Sequence, residues 1–303
     1  MVRSTDDSNG MGGEGSSCCA RRGDLRRAGA IAGLASAGAF LTGLAVAGAQ
    51  AGLEPDELDD EAKAAVRLLS PVTSVSPGQV VELGFEFEIE RGWHLYWDGR
   101  NDTGFAPQVS WEVPAGFEPG AIAWPTPERY VLPGGILDHI YEDRVTLLVP
   151  VRVPEDAAVG GTVELAADVE WLVCKDVCIP EFGRASVTLP VTASAGSASS
   201  AAGRLASARG LVPVAAGDEV RADWSGELLV LGVAGAGRME FYPSRDSAEI
   251  EDLIAHGAAS TGELRLPVDR ASAEAVAGIV RWWPSGGGTS ISRTVRVTTG
   301  AGE

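Results

Sequence analysis

The stretch Val80-Val81-Glu82-Leu83-Gly84-Phe85-Glu86-Phe87-Glu88-Ile89 decides the fold. A two-residue period places Leu83, Phe85, Phe87 and Ile89 on one face and Glu82, Glu86 and Glu88 on the other, as in a half-buried strand. Similar runs cover residues 109–113, 145–153, 163–173 and 185–191. Turn signals separate them: Ser76-Pro77-Gly78, Pro114-Ala115-Gly116, Pro133-Gly134-Gly135 and Gly160-Gly161. Short strands at this spacing, without amphipathic helices between them, predict a β-sandwich over residues 66–191.

Residues 192–209 are almost entirely Ala, Ser, Gly and Arg, which offers nothing to anchor a core and reads as a linker or a domain edge. A second β-rich unit is expected over residues 210–303, with strands near 227–233, 238–242, 263–267, 277–283 and 291–297. Residues 247–255 read as a short helical turn within it. The unit has no cysteine and one histidine, His256. The fold class is therefore all-β, with two sandwiches.

Ahead of them, residues 1–51 carry the basic cluster Arg21, Arg22, Arg26 and Arg27, an uncharged stretch, and a small-x-small end at Ala49-Gln50-Ala51. This is the pattern of a signal peptide cleaved after Ala51. The alternative is an uncleaved anchor, since the uncharged run is long enough to cross a bilayer. Arg26-Arg27 matches a twin-arginine signal only loosely. Residues 52–65 form an acidic lead-in, with six carboxylates in residues 54–61, and read as a solvated segment.

The chain has 303 residues, 24 Lys+Arg against 42 Asp+Glu, and a net charge of −18. That length suits two domains. The acid excess argues against nucleic-acid binding, which needs a basic face, and against docking on an anionic membrane. Ser/His/Asp triads, phosphate-binding glycine loops and zinc-hydrolase motifs are absent from the sequence.

Cleavage removes Cys18 and Cys19 and leaves Cys174 and Cys178, within Trp171-Leu172-Val173-Cys174-Lys175-Asp176-Val177-Cys178-Ile179-Pro180. The pair falls between two strand-like runs, at the turn of a hairpin. Outside the cytosol two cysteines this close form a disulfide. Extended chain would part their Cα atoms by about 13 Å, so the three intervening residues must bend sharply. Closing so small a loop contributes only about 2 kcal/mol. Three readings follow: a structural staple, a copper(I) site of soft ligands, or thiol–disulfide exchange, in which one thiolate attacks a partner disulfide and the other resolves the adduct. Zinc would need further ligands beyond His94, His139 and His256. No cofactor is called for.

Several motifs extend this reading. Gly92-Trp93-His94-Leu95-Tyr96-Trp97, Asp102-Thr103-Gly104-Phe105-Ala106-Pro107, Trp124-Pro125-Thr126-Pro127-Glu128-Arg129, Ile140-Tyr141-Glu142-Asp143 and Trp171-Leu172-Val173-Cys174 occur in that order. Their arrangement resembles the N-terminal periplasmic domain of the DsbD family, and most nearly its ScsB copper-sensitivity suppressor type. Fainter likeness continues through Phe241-Tyr242-Pro243 and Gly278-Ile279-Val280. The resemblance implies two immunoglobulin-like sandwiches with Cys174 and Cys178 as the redox couple. It also implies electrons taken from a membrane electron carrier and handed to exported thioredoxin-like proteins, here with the carrier as a separate protein because the chain ends at Glu303. Which cysteine attacks is left open. The family's cap over the pair should fall within residues 133–139, which hold no aromatic; Ile136 or Leu137 would substitute.

Supporting roles are expected for Asp138, His139, Tyr141, Lys175 and Asp176. An imidazolium at His139 or an ammonium at Lys175 would stabilise a thiolate, and Asp138, Asp143 or Asp176 would relay protons. His94 reads as a satisfied buried histidine, and Trp93, Trp97, Trp111, Trp124 and Trp171 as packing. The rival function is a non-catalytic protein-binding module whose disulfide stiffens a loop.

Overall fold

The computed structural model describes residues 62–300. The export segment and most of the acidic lead-in lie outside the described residues. Among those described, no helix is long and apolar enough to cross a membrane.

The described chain is all-β. Its first part runs through β1 (Ala64–Leu69), β2 (Val80–Ile89), β3 (His94–Tyr96), β4 (Gln108–Glu112), β5 (Glu118–Pro119), β6 (Glu128–Leu132), β7 (Ile136–Glu142), β8 (Arg144–Arg152), β9 (Thr162–Cys174) and β10 (Cys178–Pro190). One sheet has the order β1-β2-β8-β5, and the other β10-β9-β3-β7-β6, with β4 also pairing β9. Leu83, Phe85 and Phe87 are fully buried between the sheets beside Leu147, Val149, Leu165 and Val173. Phe85 meets Trp111 at 5.2 Å between ring centroids, and Phe87 meets Trp171 edge-on at 5.5 Å. Trp111 and Trp171 thus pack into the core, the role read for the tryptophans in the sequence.

The chain continues through α1 (Ala202–Arg209), β11 (Val214–Ala215), β12 (Val220–Ser225), β13 (Leu228–Val233), β14 (Ala236–Pro243), β15 (Glu249–Ile250), α2 (Leu253–His256), β16 (Ala258–Ala259), β17 (Glu263–Asp269), β18 (Ala275–Pro284) and β19 (Ile291–Thr298). Sheets β11-β19-β18-β14-β16 and β12-β13-β17-β15 enclose a second core around Leu229, Leu231, Phe241, Leu264 and Val280.

Residues 192–209 correct the expectation of a bare linker. Their second half is α1, which lies on the outer face of β2 and β8 with Leu205 and Ala208 buried against Leu148. A Cβ on Gly84 would stand 2.4 Å from Leu205 Cδ2, so the glycine admits the helix. Arg204 donates to Glu86 at 2.8 Å, and that carboxylate is only 1% exposed. One leucine and one arginine in an Ala-rich segment suffice to cover a face that alternation alone assigns to solvent.

The two sandwiches meet along the loop after β3. Gly99 forms an antiparallel bridge with Ser244, and Arg100 N donates to Pro243 O at 3.1 Å. The Arg100 guanidinium donates to Ser247 O, and Asp98 pairs with Arg245 at 2.7 Å. Nearby, Arg129 Nη2 donates to the carbonyls of Leu253 and Ile254, at 2.6 and 3.0 Å, and Arg281 pairs with Glu128 at 2.8 Å.

Candidate functional site

The longest hairpin carries the site. The antiparallel register of β9 and β10 is unbroken from Pro190 opposite Thr162 to Cys178 opposite Cys174. Beyond that last pair Lys175, Asp176 and Val177 make a three-residue turn in which Lys175 N donates to Val177 O at 3.1 Å. This bend answers the distance problem posed by the sequence: the Cα atoms stand 4.1 Å apart and the sulfurs are joined. The strand ladder already closes this loop, so the bond has little left to hold together.

The two cysteines differ in environment. Cys174 is 2% exposed and packs with Tyr96 and Ile140, flanked by Tyr130 and Leu172. Cys178 is exposed at the rim, beside the exposed Val177. Tyr96 Oη lies 3.7 Å from Cys178 Sγ and 3.1 Å from Thr103 Oγ1, and Thr103 Oγ1 donates to Asp138 Oδ2 at 2.6 Å. Asp138 is fully buried, and its other oxygen accepts from the backbone N–H of Asp102 and of Thr103, at 2.9 and 3.0 Å.

The direction of this chain is fixed by donor counting. The Thr103 hydroxyl proton is committed to a carboxylate, which only accepts, so Thr103 Oγ1 can only accept from Tyr96. The Tyr96 oxygen is then left facing Cys178 as an acceptor. Burial, the largest cause, raises the Tyr96 pKa, so the phenol stays protonated. Tyr96 and Thr103 lie within two of the quoted motifs, yet no charge or spacing singled them out. Their signal is geometric: β3 pairs with β9 only at His94 opposite Cys174, which brings Tyr96 to the pair.

The other expected residues fall differently. His139 is fully buried, but its ring faces the second sandwich, 5.8 Å from Trp97 and 5.3 Å from Tyr242 between centroids. Its Nδ1–H donates to Arg100 O at 2.6 Å, and Nε2 is buried without a partner. Burial above all, with Arg129 adding, lowers its pKa to about 4 against the raising effect of the Arg100 carbonyl. A neutral ring held at the joint replaces the expected imidazolium beside the thiols. Tyr141 donates to Pro125 O at 2.6 Å and is buried, which raises its pKa well above the ordinary value. It braces the Trp124-Pro125 segment, away from the sulfurs. Lys175 and Asp176 are exposed in the hairpin turn, and the Lys175 chain lies over Gly92. Asp143 sits exposed in the turn between β7 and β8. Leu137 lines a small cavity with Ile250 and Leu253, so cover over Cys174 comes from Tyr96, Tyr130 and Ile140 instead of residues 133–139. His94 lies between Tyr96, which it meets edge-on, and the tilted ring of Tyr130, and burial lowers its pKa more than Asp138 raises it. Among the described residues no three His, Cys, Asp or Glu side chains are grouped to hold a metal ion.

His139 makes the joint acid-sensitive. Its folded pKa is depressed, so its contribution is complete above pH 6.5 and is lost as pH falls towards 4. Across that window the loss is about 3 kcal/mol. Denaturant midpoints measured from pH 7 to pH 4 should fall more steeply for the native protein than for His139→Gln; equal slopes would contradict the assignment.

Residues 65–190 match the family model described as thiol:disulfide interchange protein DsbD, N-terminal. The N-terminal periplasmic domain of ScsB from Proteus mirabilis has a similar structure, with a TM-score of 0.52 at 19% identity, covering 80% of this chain and 95% of that one. The Salmonella enterica SafA pilin–SafB chaperone complex aligns at 12% identity and TM-score 0.23, over 77% of this chain and 97% of that one. The E. coli chaperone DraB aligns at 11% and 0.21, over 77% and 98%. Both are too distant to bear on this chain. No curated protein matches.

Proposed function

Residues 65–190 belong to the DsbD N-terminal domain family, and on that premise we propose that the protein is an exported thiol–disulfide exchange protein working through Cys174 and Cys178. It takes two electrons from a membrane electron carrier and passes them to extracytoplasmic thioredoxin-like proteins. The observation that carries this reading is the asymmetry of the pair: one sulfur-bearing residue stands at the exposed rim and its partner directly behind it is buried.

The exchange runs as follows. In the reduced protein the Cys178 thiol donates to Tyr96, Tyr96 to Thr103, and Thr103 to Asp138. As Cys178 attacks, a concerted shift of one proton along each bond draws the thiol proton towards Asp138 and reverses every bond of the chain. Tyr96 O–H then points at the thiolate and stabilises it as a charge-assisted donor. The thiolate attacks one sulfur of the partner's disulfide, and the partner's other sulfur leaves as a thiolate. The partner's first leaving thiolate takes the Cys174 proton; Cys174 Sγ then attacks Cys178 Sγ and re-forms the disulfide, and the partner's second sulfur leaves and takes back the proton drawn from Cys178, so that the partner departs as a dithiol. The resolving sulfur is built into the facing strand, which makes that step unimolecular.

Equilibration of the described domains with glutathione or thioredoxin couples tests the reading. The expected reduction potential is above about −300 mV, where exchange partners can exchange electrons with the pair. A value far below it marks a structural bridge and returns the chain to the class of binding modules.

A further inference from the structure

The second sandwich has no cysteine, yet it grips the segment that carries the proton chain. Between β3 and β4 the chain leaves Tyr96 and makes three successive contacts with the second sandwich: Asp98 to Arg245, Gly99 to Ser244, and Arg100 to Pro243 and Ser247. The next three residues turn back into the first sandwich. Asn101 Oδ1 accepts from His139 N at 2.8 Å, and Asp102 Oδ2 accepts from Leu137 N at 2.6 Å. Asp102 and Thr103 then give their N–H groups to Asp138, and Thr103 meets Tyr96. Gly104 passes so close to the Tyr96 ring that a Cβ there would stand 2.2 Å from it. From Ser247 to Cys178 Sγ the contacts are therefore continuous.

We propose that the second sandwich is a positioning element for the redox pair: by clamping Asp98, Gly99 and Arg100 it holds Thr103 and Tyr96 in line with Cys178. This rests on the exchange function proposed above and deepens it. Arg100 is the positioning residue at its centre. Its guanidinium reaches Ser247 O in one sandwich while its own carbonyl accepts from His139 Nδ1 in the other. Freed from that clamp, the loop no longer fixes the Tyr96 hydroxyl against the sulfur, and the Cys178 thiolate loses a charge-assisted donor.

The test uses the Cys174→Ser protein with all described domains present, and reads the rate at which Cys178 attacks oxidised glutathione. Adding Arg100→Ala should slow the attack about fivefold, the loss expected for a loosened bond to a charged group. Arg100→Lys should restore most of it. In a Tyr96→Phe background Arg100→Ala should have no further effect, because the two act along one chain; that cycle separates coupling from proximity. Val280→Ala, in the core of the second sandwich, should lower the melting temperature while leaving the rate unchanged. If Arg100→Ala fails to fold, Arg245→Ala releases Asp98 and gives the same reading. An unchanged rate in a folded Arg100→Ala protein, or equal slowing in both Tyr96 backgrounds, overturns the positioning role and leaves exchange standing. If neither the Cys174→Ser nor the Cys178→Ser protein reacts with glutathione, both are overturned.

Discussion

Cys174→Ser protein, reduced and mixed with an exported thioredoxin-like protein in its disulfide form, should accumulate a covalent adduct through Cys178. Cys178 is exposed, while Cys174 sits 2% exposed under Tyr96 and Ile140. A partner sulfur must approach along the S–S axis, which the rim position permits and the buried one does not. Once the mixed disulfide forms, its normal fate is attack by Cys174 from the facing strand. An oriented intramolecular thiol has an effective concentration of roughly 10⁵ M or more, so serine there should lengthen the adduct's life by at least about a thousandfold. Non-reducing electrophoresis and mass spectrometry of the linked peptide read the result. Cys178→Ser should give no adduct and no exchange. An adduct through Cys174 in that protein would reverse the two roles, which the sequence leaves open.

Much of the fold was legible because its strands obey a simple period. β2 matches the quoted stretch residue for residue, and β8, β9, β13 and β18 lie within a few residues of their expected bounds. β7 was missed because its polar residues are not on a solvent face: Asp138 and His139 are both fully buried, so the run Ile136–Glu142 shows no alternation. Burial of those groups is affordable only because Thr103, Asp102 and Arg100 supply partners from a loop more than thirty residues earlier. The disulfide was legible from the closeness of the two cysteines together with the export signal. The roles of Asp138 and His139 were not, since adjacent residues on a strand point to opposite faces. Asp138 serves the site and His139 the joint, although they are neighbours in sequence. α1 was invisible for a related reason: an eight-residue Ala/Ser/Gly/Arg segment acquires its helical state from Leu205 on Leu148 and Arg204 on Glu86, contacts that periodicity cannot register.

Asp138→Asn should separate the chemistry of the site from its folding. The amide oxygen can still accept from the N–H groups of Asp102 and Thr103, so the loop keeps its shape and stability falls by about 1 kcal/mol. The other end of the side chain changes from acceptor to donor. Its NH₂ now faces Thr103 Oγ1, where the carboxylate had accepted at 2.6 Å, and the hydroxyl must rotate to receive it. Thr103 then donates to Tyr96, and no group at the end of the chain can take a proton from Cys178. Attack by Cys178 on a disulfide near neutral pH should slow by about a hundredfold, at the lower end of what a positioned acid–base group contributes. Asp138→Ala is the contrasting case. It strands two backbone N–H groups and a hydroxyl in a buried site, which costs about 3 kcal/mol or more and disorders the loop. Stopped-flow rates paired with denaturant melts distinguish the two variants. If Asp138→Asn melts like the parent and reacts at the parent rate, Asp138 holds the loop and takes no part in proton transfer, and Cys178 must lose its proton directly to solvent.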